Sequence, residues 1–200
     1  MPTDTLLVMR GAILLPIARA KIASEFGRVM QVDEQHAWLQ DKGACFVTLT
    51  QQGELRGCIG TLEAHRTLLQ DVKANAHAAA FRDPRFPPLA ASELEETDVE
   101  VSLLSAMTPL RFSGERDALT QLKPGLHGVV FEFGQHRSTF LPQVWEQLPD
   151  VVEFMAHLKY KAGLPPDFWD DEVKLSCYTV SKWKESDKLK VNTLSKQEAS

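Results

Sequence analysis

One run of six residues, Leu55-Arg56-Gly57-Cys58-Ile59-Gly60, limits most sharply what this chain can fold into. The turn residues Gln51-Gln52-Gly53 precede it and a helix-opening sequence follows, so it reads as a short strand. Side chains on a strand alternate between two faces. Leu55 and Ile59 are therefore expected to enter a core, with Arg56, Cys58 and Gly60 together on the other face. Glycines inside so short a strand weaken it and mark a bulge or a close approach by backbone or ligand, which makes Gly57 and Gly60 candidates for lining a substrate site. A guanidinium two residues from a thiol on the same face favours the thiolate. The pattern predicts an activated sulfur beside an open space.

The flanking sequence places that strand in a mixed fold. Ala44 to Thr50 and Glu54 to Thr61 read as a hairpin. Upstream, Leu14, Ile17, Ala18, Ile22 and Phe26 recur at helical spacing, with Pro16 in the first turn, Gly27 as a stop and residues 1–11 as a loose extension. His36 to Leu39 predicts a helical turn. Downstream, Thr67-Leu68-Leu69-Gln70 is a capping box. The helix it opens is expected to bury Leu68, Leu69, Val72, Ala76 and Ala79 and to carry Lys73, Asn75 and His77 outside. It must stop by Asp83, because the residue before Pro84 is pushed out of helical space. Ser92 and Glu95 predict a second capping box, and Thr97 to Leu104 alternates as a half-buried strand.

Pro109 and Ser113-Gly114 then break the chain. Beyond them the pattern predicts a helix over 115–122, a hairpin from Gly128 to Phe133 and Arg137 to Leu141, and a short helix opened by Pro142. A longer helix follows, capped by Asp150 and Glu153, burying Val151, Phe154, Met155 and Leu158 and ending at Gly163. Val173 to Val180 reads as the last strand. Hairpins with helices between them predict an α+β fold of antiparallel sheets flanked by helices. The expected organisation is one domain over 1–200, with two lobes, a cleft between them, a boundary near 106–114 and a flexible tail over 186–200.

Composition narrows the function classes. Twenty-two Lys and Arg against 27 Asp and Glu give a net charge of −5, so no basic field invites nucleic acid. The three cysteines, Cys45, Cys58 and Cys177, are odd in number with no close pair, which predicts a reducing, cytoplasmic setting. The apolar run Leu6 to Ile17 is interrupted by Arg10 and reads as neither signal peptide nor membrane span. Oligomeric state is not legible.

Leu55-Arg56-Gly57-Cys58-Ile59-Gly60 also resembles the signature hexapeptide of the AMMECR domain family. Asp83-Pro84-Arg85-Phe86, Phe140-Leu141-Pro142-Gln143-Val144-Trp145 and Lys161-Ala162-Gly163-Leu164 are similar to further family motifs, in the same order. The likeness runs from about Leu14 to Glu185. It implies a two-lobed α+β unit with the hexapeptide facing the space between lobes, and brings no assigned reaction. Bacterial relatives of this type (AmmeMemoRadiSam system protein A) are often encoded beside a Memo-type, dioxygenase-like protein and a radical SAM protein, so the resemblance implies those partners.

Candidate chemistry centres on Cys58, as a nucleophile, redox thiol or thioester carrier, with His77, His127 and His136 as available imidazoles. The competing reading is a small residue packed in a glycine-rich spot. Arg56, Asp83 and Arg85 form a group able to clamp an anionic substrate, or else a structural ion pair with Asp83 holding a turn. Glu100 and Ser102 share the polar face of their strand. Were that strand beside the hexapeptide, Glu100 would serve as acid or base and Ser102 as a substrate contact; otherwise both are solvated surface. Metal-ligand spacings such as Cys-x-x-Cys or His-x-x-x-His are lacking, so no metal site is expected, and the sequence names no cofactor either way. Two readings follow: an enzyme built around Cys58, with Arg56 and Arg85 orienting an anionic substrate, or a non-catalytic binding or scaffold subunit.

Overall fold

The computed structural model describes residues 3–187. Twelve regular elements follow in order: α1 (Thr3–Ser24), β1 (Cys45–Gln51), β2 (Glu54–Gly60), α2 (Leu68–Phe81), β3 (Thr97–Leu104), β4 (Thr108–Pro109), α3 (Glu115–Gln121), β5 (Gly128–Phe133), β6 (His136–Phe140), α4 (Val151–Lys161), β7 (Lys174–Tyr178) and β8 (Val180–Lys184). Single 3₁₀ turns lie at Ala37–Leu39, Ala91–Glu93 and Pro142–Glu146. The fold is α+β, with two four-stranded sheets ordered β2-β1-β3-β8 and β4-β7-β5-β6. The chain divides into two compact units, Met1–Leu104 with Ser181–Ser200, and Ser105–Val180.

In the first unit, α1 and α2 cover one face of the sheet. Leu14, Ile17 and Ile22 from α1, Val72, Ala76 and Ala79 from α2, and Val47, Leu49, Val99 and Val101 from the strands form its core. The β1–β2 hairpin turns on Gln52 and Gly53, both at positive φ, as a two-residue type I′ loop requires. Thr67 Oγ1 accepts the Gln70 N–H at the start of α2, as the capping signal predicts. In the second unit, β5, β6 and β7 pair antiparallel beside α4, with Trp145 stacked on Phe154 at 3.6 Å between ring centroids. Asp150 caps α4 by accepting from the N–H groups of Val152 and Glu153, and Gly163 at φ 81° ends the turn after it.

Several expectations need correction. The loose extension is instead the first half of α1, which places Pro16 inside the helix rather than in its first turn. The helix absorbs the missing N–H because its neighbours Leu14, Leu15 and Ile17 are completely buried. Asn75 does not face outward. It lies 3% exposed in a polar network with Asp71, Thr61, Arg66 and the Cys45 backbone. The cap near residue 92 is made by Glu93, whose Oε2 accepts the Ala90 N–H at 2.7 Å, not by Ser92 and Glu95. The run Val173 to Val180 is broken at Thr179, and the chain goes on as β8 into the first unit's sheet. The expected tail beyond residue 187 lies outside the described residues.

Candidate functional site

The hexapeptide is an edge strand with a bulge. Leu49 pairs with Gly57 but Thr50 pairs with Leu55, leaving Arg56 as the extra residue. The bulge resets the faces. Leu55 is 42% exposed rather than in the core, while Gly57 and Ile59 turn towards the helices. A Cβ on Gly57 would lie 2.1 Å from the carbonyl oxygen of Ala79, so its absence is what lets α2 pack this close. Cys58 and Gly60 are left on the face away from the helices.

Register places the neighbours of Cys58. Thr48 faces Cys58 on β1 and Glu100 faces Thr48 on β3, so thiol, hydroxyl and carboxylate form one rung. The Thr48 hydroxyl donates to the Cys58 sulfur at 3.3 Å. Both backbone groups of Cys58 point away from β1, which makes Thr48 and Cys58 a non-hydrogen-bonded pair, the kind whose side chains approach most closely. The next rung holds Gly60, Phe46 and Ser102, and a Cβ on Gly60 would meet the Phe46 ring at 2.1 Å. Ser102 Oγ donates to Glu100 Oε1 at 3.4 Å. Glu100 thus joins the site from the second strand over, about 10 Å from β2 by strand spacing, not from an adjacent one.

Asp83 and Arg85 close the exposed edge. Asp83 is buried, and its carboxylate accepts the Cys58 N–H at 2.9 Å, the Arg85 N–H at 3.1 Å, and Arg85 Nε and Nη2 at 2.9 and 2.7 Å. Arg85 Nη2 also donates to the Cys58 carbonyl at 3.2 Å. The Arg85 guanidinium, then these backbone donors, hold the Asp83 carboxyl well below the usual carboxylate range. Arg85 is pushed up in turn, first by its hydrogen bonds to Asp83. Of the two arginines, Arg85 is therefore the one bonded to Cys58.

Arg56 is turned inward. Its Nε and Nη2 donate to the Glu93 carboxylate at 2.8 and 3.1 Å, and it is 9% exposed. Arg56, followed by the Ala90 N–H, lowers Glu93 to about 2. This fork ties the turn at 91–93 to the bulge. The three imidazoles are engaged elsewhere: His77 faces Glu25 at 3.8 Å, His127 Nδ1 accepts the Lys123 N–H, and His136 Nδ1 contacts the Ala162 carbonyl. Burial, then Lys123, pushes His127 down. Cys45 and Cys177 are buried thiols raised by desolvation first, Cys177 to about 11. No group of three or more His, Cys, Asp or Glu among the described residues is placed to hold a metal ion.

The sequence reading missed Thr48, Phe46 and Glu93. The first two stand at alternate positions of β1, and the hairpin register, once corrected for the bulge, leads to both. Glu93 carries no signal of its own beyond a carboxylate near a turn.

Residues 15–183 match the model of the family described as AMMECR1. The chain belongs to the AMMECR1 family. It is 36% identical over 168 residues to a protein of Methanocaldococcus jannaschii, covering 82% of this chain and 84% of that one. It is 37% identical over 163 residues to a protein of Thermotoga maritima, covering 80% and 88%. The crystal structure of an uncharacterized Pyrococcus horikoshii protein has the same fold, with a TM-score of 0.70 and 31% identity over 88% of this chain and 91% of that one. No described helix of the AMMECR1-family chain is long and apolar enough to cross a membrane.

Proposed function

We propose that this AMMECR1-family chain is a covalent-transfer enzyme whose nucleophile is Cys58. The observation that carries the reading is the Thr48 hydroxyl donating to the Cys58 sulfur, on a rung that continues to Glu100. A donor on sulfur favours the thiolate, the attacking form. In the step envisaged, the Glu100 carboxylate takes up the proton released by the Cys58 thiol, a bond forms from sulfur to an electrophilic carbon, the bond to the leaving group breaks, and Glu100 returns that proton to the leaving group. A substrate lying over Thr48 touches both groups. Ser102 orients Glu100, and Asp83 fixes the backbone of Cys58. Gly57 and Gly60 keep the strand close to α2 and under Phe46. The setting is the cytoplasm, where unpaired Cys45, Cys58 and Cys177 stay reduced.

The test is alkylation of Cys58 by iodoacetamide at pH 7, followed by peptide mass spectrometry. Thr48→Val is expected to slow it about fivefold to tenfold, in line with the loss of one hydrogen bond of about 1 kcal/mol. A Cys58 that reacts no faster than in the urea-unfolded chain, with no response to Thr48→Val, would sink the nucleophile.

A second reading has support of its own. Ala79, Phe46 and Glu93 account for Gly57, Gly60 and Arg56 by packing and pairing alone. On that reading the chain is a binding or scaffold subunit, serving with a Memo-like, dioxygenase-type protein and a radical SAM protein, the partners its family likeness implies. Co-purification of those partners with a Cys58→Ala chain, undiminished from wild type, is the outcome that favours it.

A further inference from the structure

We infer that the Cys58 site selects electrophiles carrying an anionic group, and that Arg85 reads the anion. The inference rests on Cys58 as nucleophile and names the class of its substrate. Arg85 has three features that suit a recognition group. Its side chain is 53% exposed, although the carboxylate that orients it is 2% exposed. Nε and Nη2 are fixed by Asp83 and the Cys58 carbonyl, and the guanidinium carbon lies 5.5 Å from the Phe86 ring centroid. Nη1 has no hydrogen-bond partner among the described residues, so the fork is held on one side and offers N–H donors on the other. A planar donor fixed in this way loses little freedom when it binds a carboxylate or phosphate oxygen.

Position ties the fork to the chemistry. Arg85 Nη2 bonds the carbonyl of the same residue that bears the sulfur. An anion held by Nη1 therefore has its electrophilic end beside Cys58, with Thr48 and Glu100 along the rung. Arg56 is excluded from this role because Glu93 neutralises it at 10% side-chain exposure.

Two alkylating agents of nearly equal size test the idea. Iodoacetate and iodoacetamide both transfer a carbon to sulfur and release iodide, and only the first is an anion. The ratio of their rates at Cys58, taken against the same ratio in the urea-unfolded chain, isolates recognition of charge. In the wild type this normalised ratio is expected to exceed one by about tenfold, the worth of one charge-assisted contact. Arg85→Gln should bring it close to one, and added salt should lower it in the wild type only. Arg85→Gln strands the buried Asp83 charge, so Asp83→Asn/Arg85→Gln, which removes both charges, serves as the second variant, with circular dichroism confirming the fold. A Cys58 alkylated by iodoacetamide at a ratio indifferent to Arg85 overturns the inference alone. A Cys58 inert to both reagents overturns the nucleophile, and the inference with it.

Discussion

Gly57 and Gly60 look alike in the sequence and do different work. A methyl group on Gly57 would strike main chain, the Ala79 carbonyl of α2, which cannot rotate aside. On Gly60 it would strike the ring of Phe46, a side chain that is only half-buried. Gly57→Ala is therefore expected to cost about 2–3 kcal/mol by forcing α2 off the sheet, and Gly60→Ala about 1 kcal/mol or less as the ring swings away. Urea denaturation of the two variants checks the order. Equal costs would mean that Phe46 is held as firmly as the helix. The same two positions show how far a sequence can speak for a site. Glycine in a strand announces that something comes close, and that much was legible. Whether the visitor is a ligand, a helix or a ring depends on the partner surface, which the glycine does not encode.

At the scale of elements, the loop from α2 to β3 is clamped to the edge strand β2 at two points, Asp83 on Cys58 and Glu93 on Arg56. Both carboxyls ionise more readily in the folded chain than in the unfolded one, where ordinary values are about 3.9 for Asp and 4.3 for Glu. Their contribution is fully present above those values and is lost as pH falls through the folded ones, about 2 for Glu93 and lower for Asp83. Stability of the first unit should thus decline below about pH 4.5. Asp83→Asn is expected to lower it by about 1–3 kcal/mol at pH 7, with the gap from wild type narrowing towards pH 2.5. Urea midpoints across that range decide it, and a constant gap would show that the Asp83 charge contributes nothing. The clamp also marks a limit of sequence reading. The alternation of β3, the caps of α2 and α4 and the β5–β6 hairpin are local patterns, and they were legible. The two strand glycines allow for a bulge, but its place at Arg56 is not a local pattern, because only the mismatch between β1 and β2 fixes it. One residue of slip put Leu55 on the outer face and turned Arg56 inward, while Gly57 stayed with Ile59 on the helix side. It also moved the guanidinium assigned to Cys58 from Arg56 to Arg85.

For the whole molecule, the decisive fact is that the first unit is made from two separated stretches of chain, whereas the second, Ser105–Val180, is continuous. The returning stretch is short but heavily tied. β8 completes the sheet beside β3, and the Trp183 ring occupies the space above Gly11, where a Cβ would come within 2.2 Å of it. Glu185 accepts from the Arg19 guanidinium and from the Val99 N–H at 3.0 Å, while Arg19 also donates to the carbonyls of Leu94 and Thr97. Lys184 and the Ser186 N–H both meet Asp98. A chain ending at Val180 would lose all of this and would open the edge of β3. Trp183 is half-buried, so its own loss costs less than the ~3–5 kcal/mol of a fully buried aromatic, but the strand pairing and the Glu185 contacts go with it, against a total stability of about 5–15 kcal/mol for a typical domain. The truncated chain is therefore expected to lose cooperative structure in the first unit while the second keeps its own core around Phe131, Phe154 and Leu158. In amide NMR spectra, resonances of Val47, Val99 and Val101 should collapse to unfolded positions while those of Phe131 and Leu175 stay dispersed. Retention of both sets would show that residues 3–104 hold their sheet without β8. Because Cys58 and Glu100 stand on that sheet, the truncation should also bring alkylation of Cys58 to the rate of the unfolded chain, whatever the second unit retains.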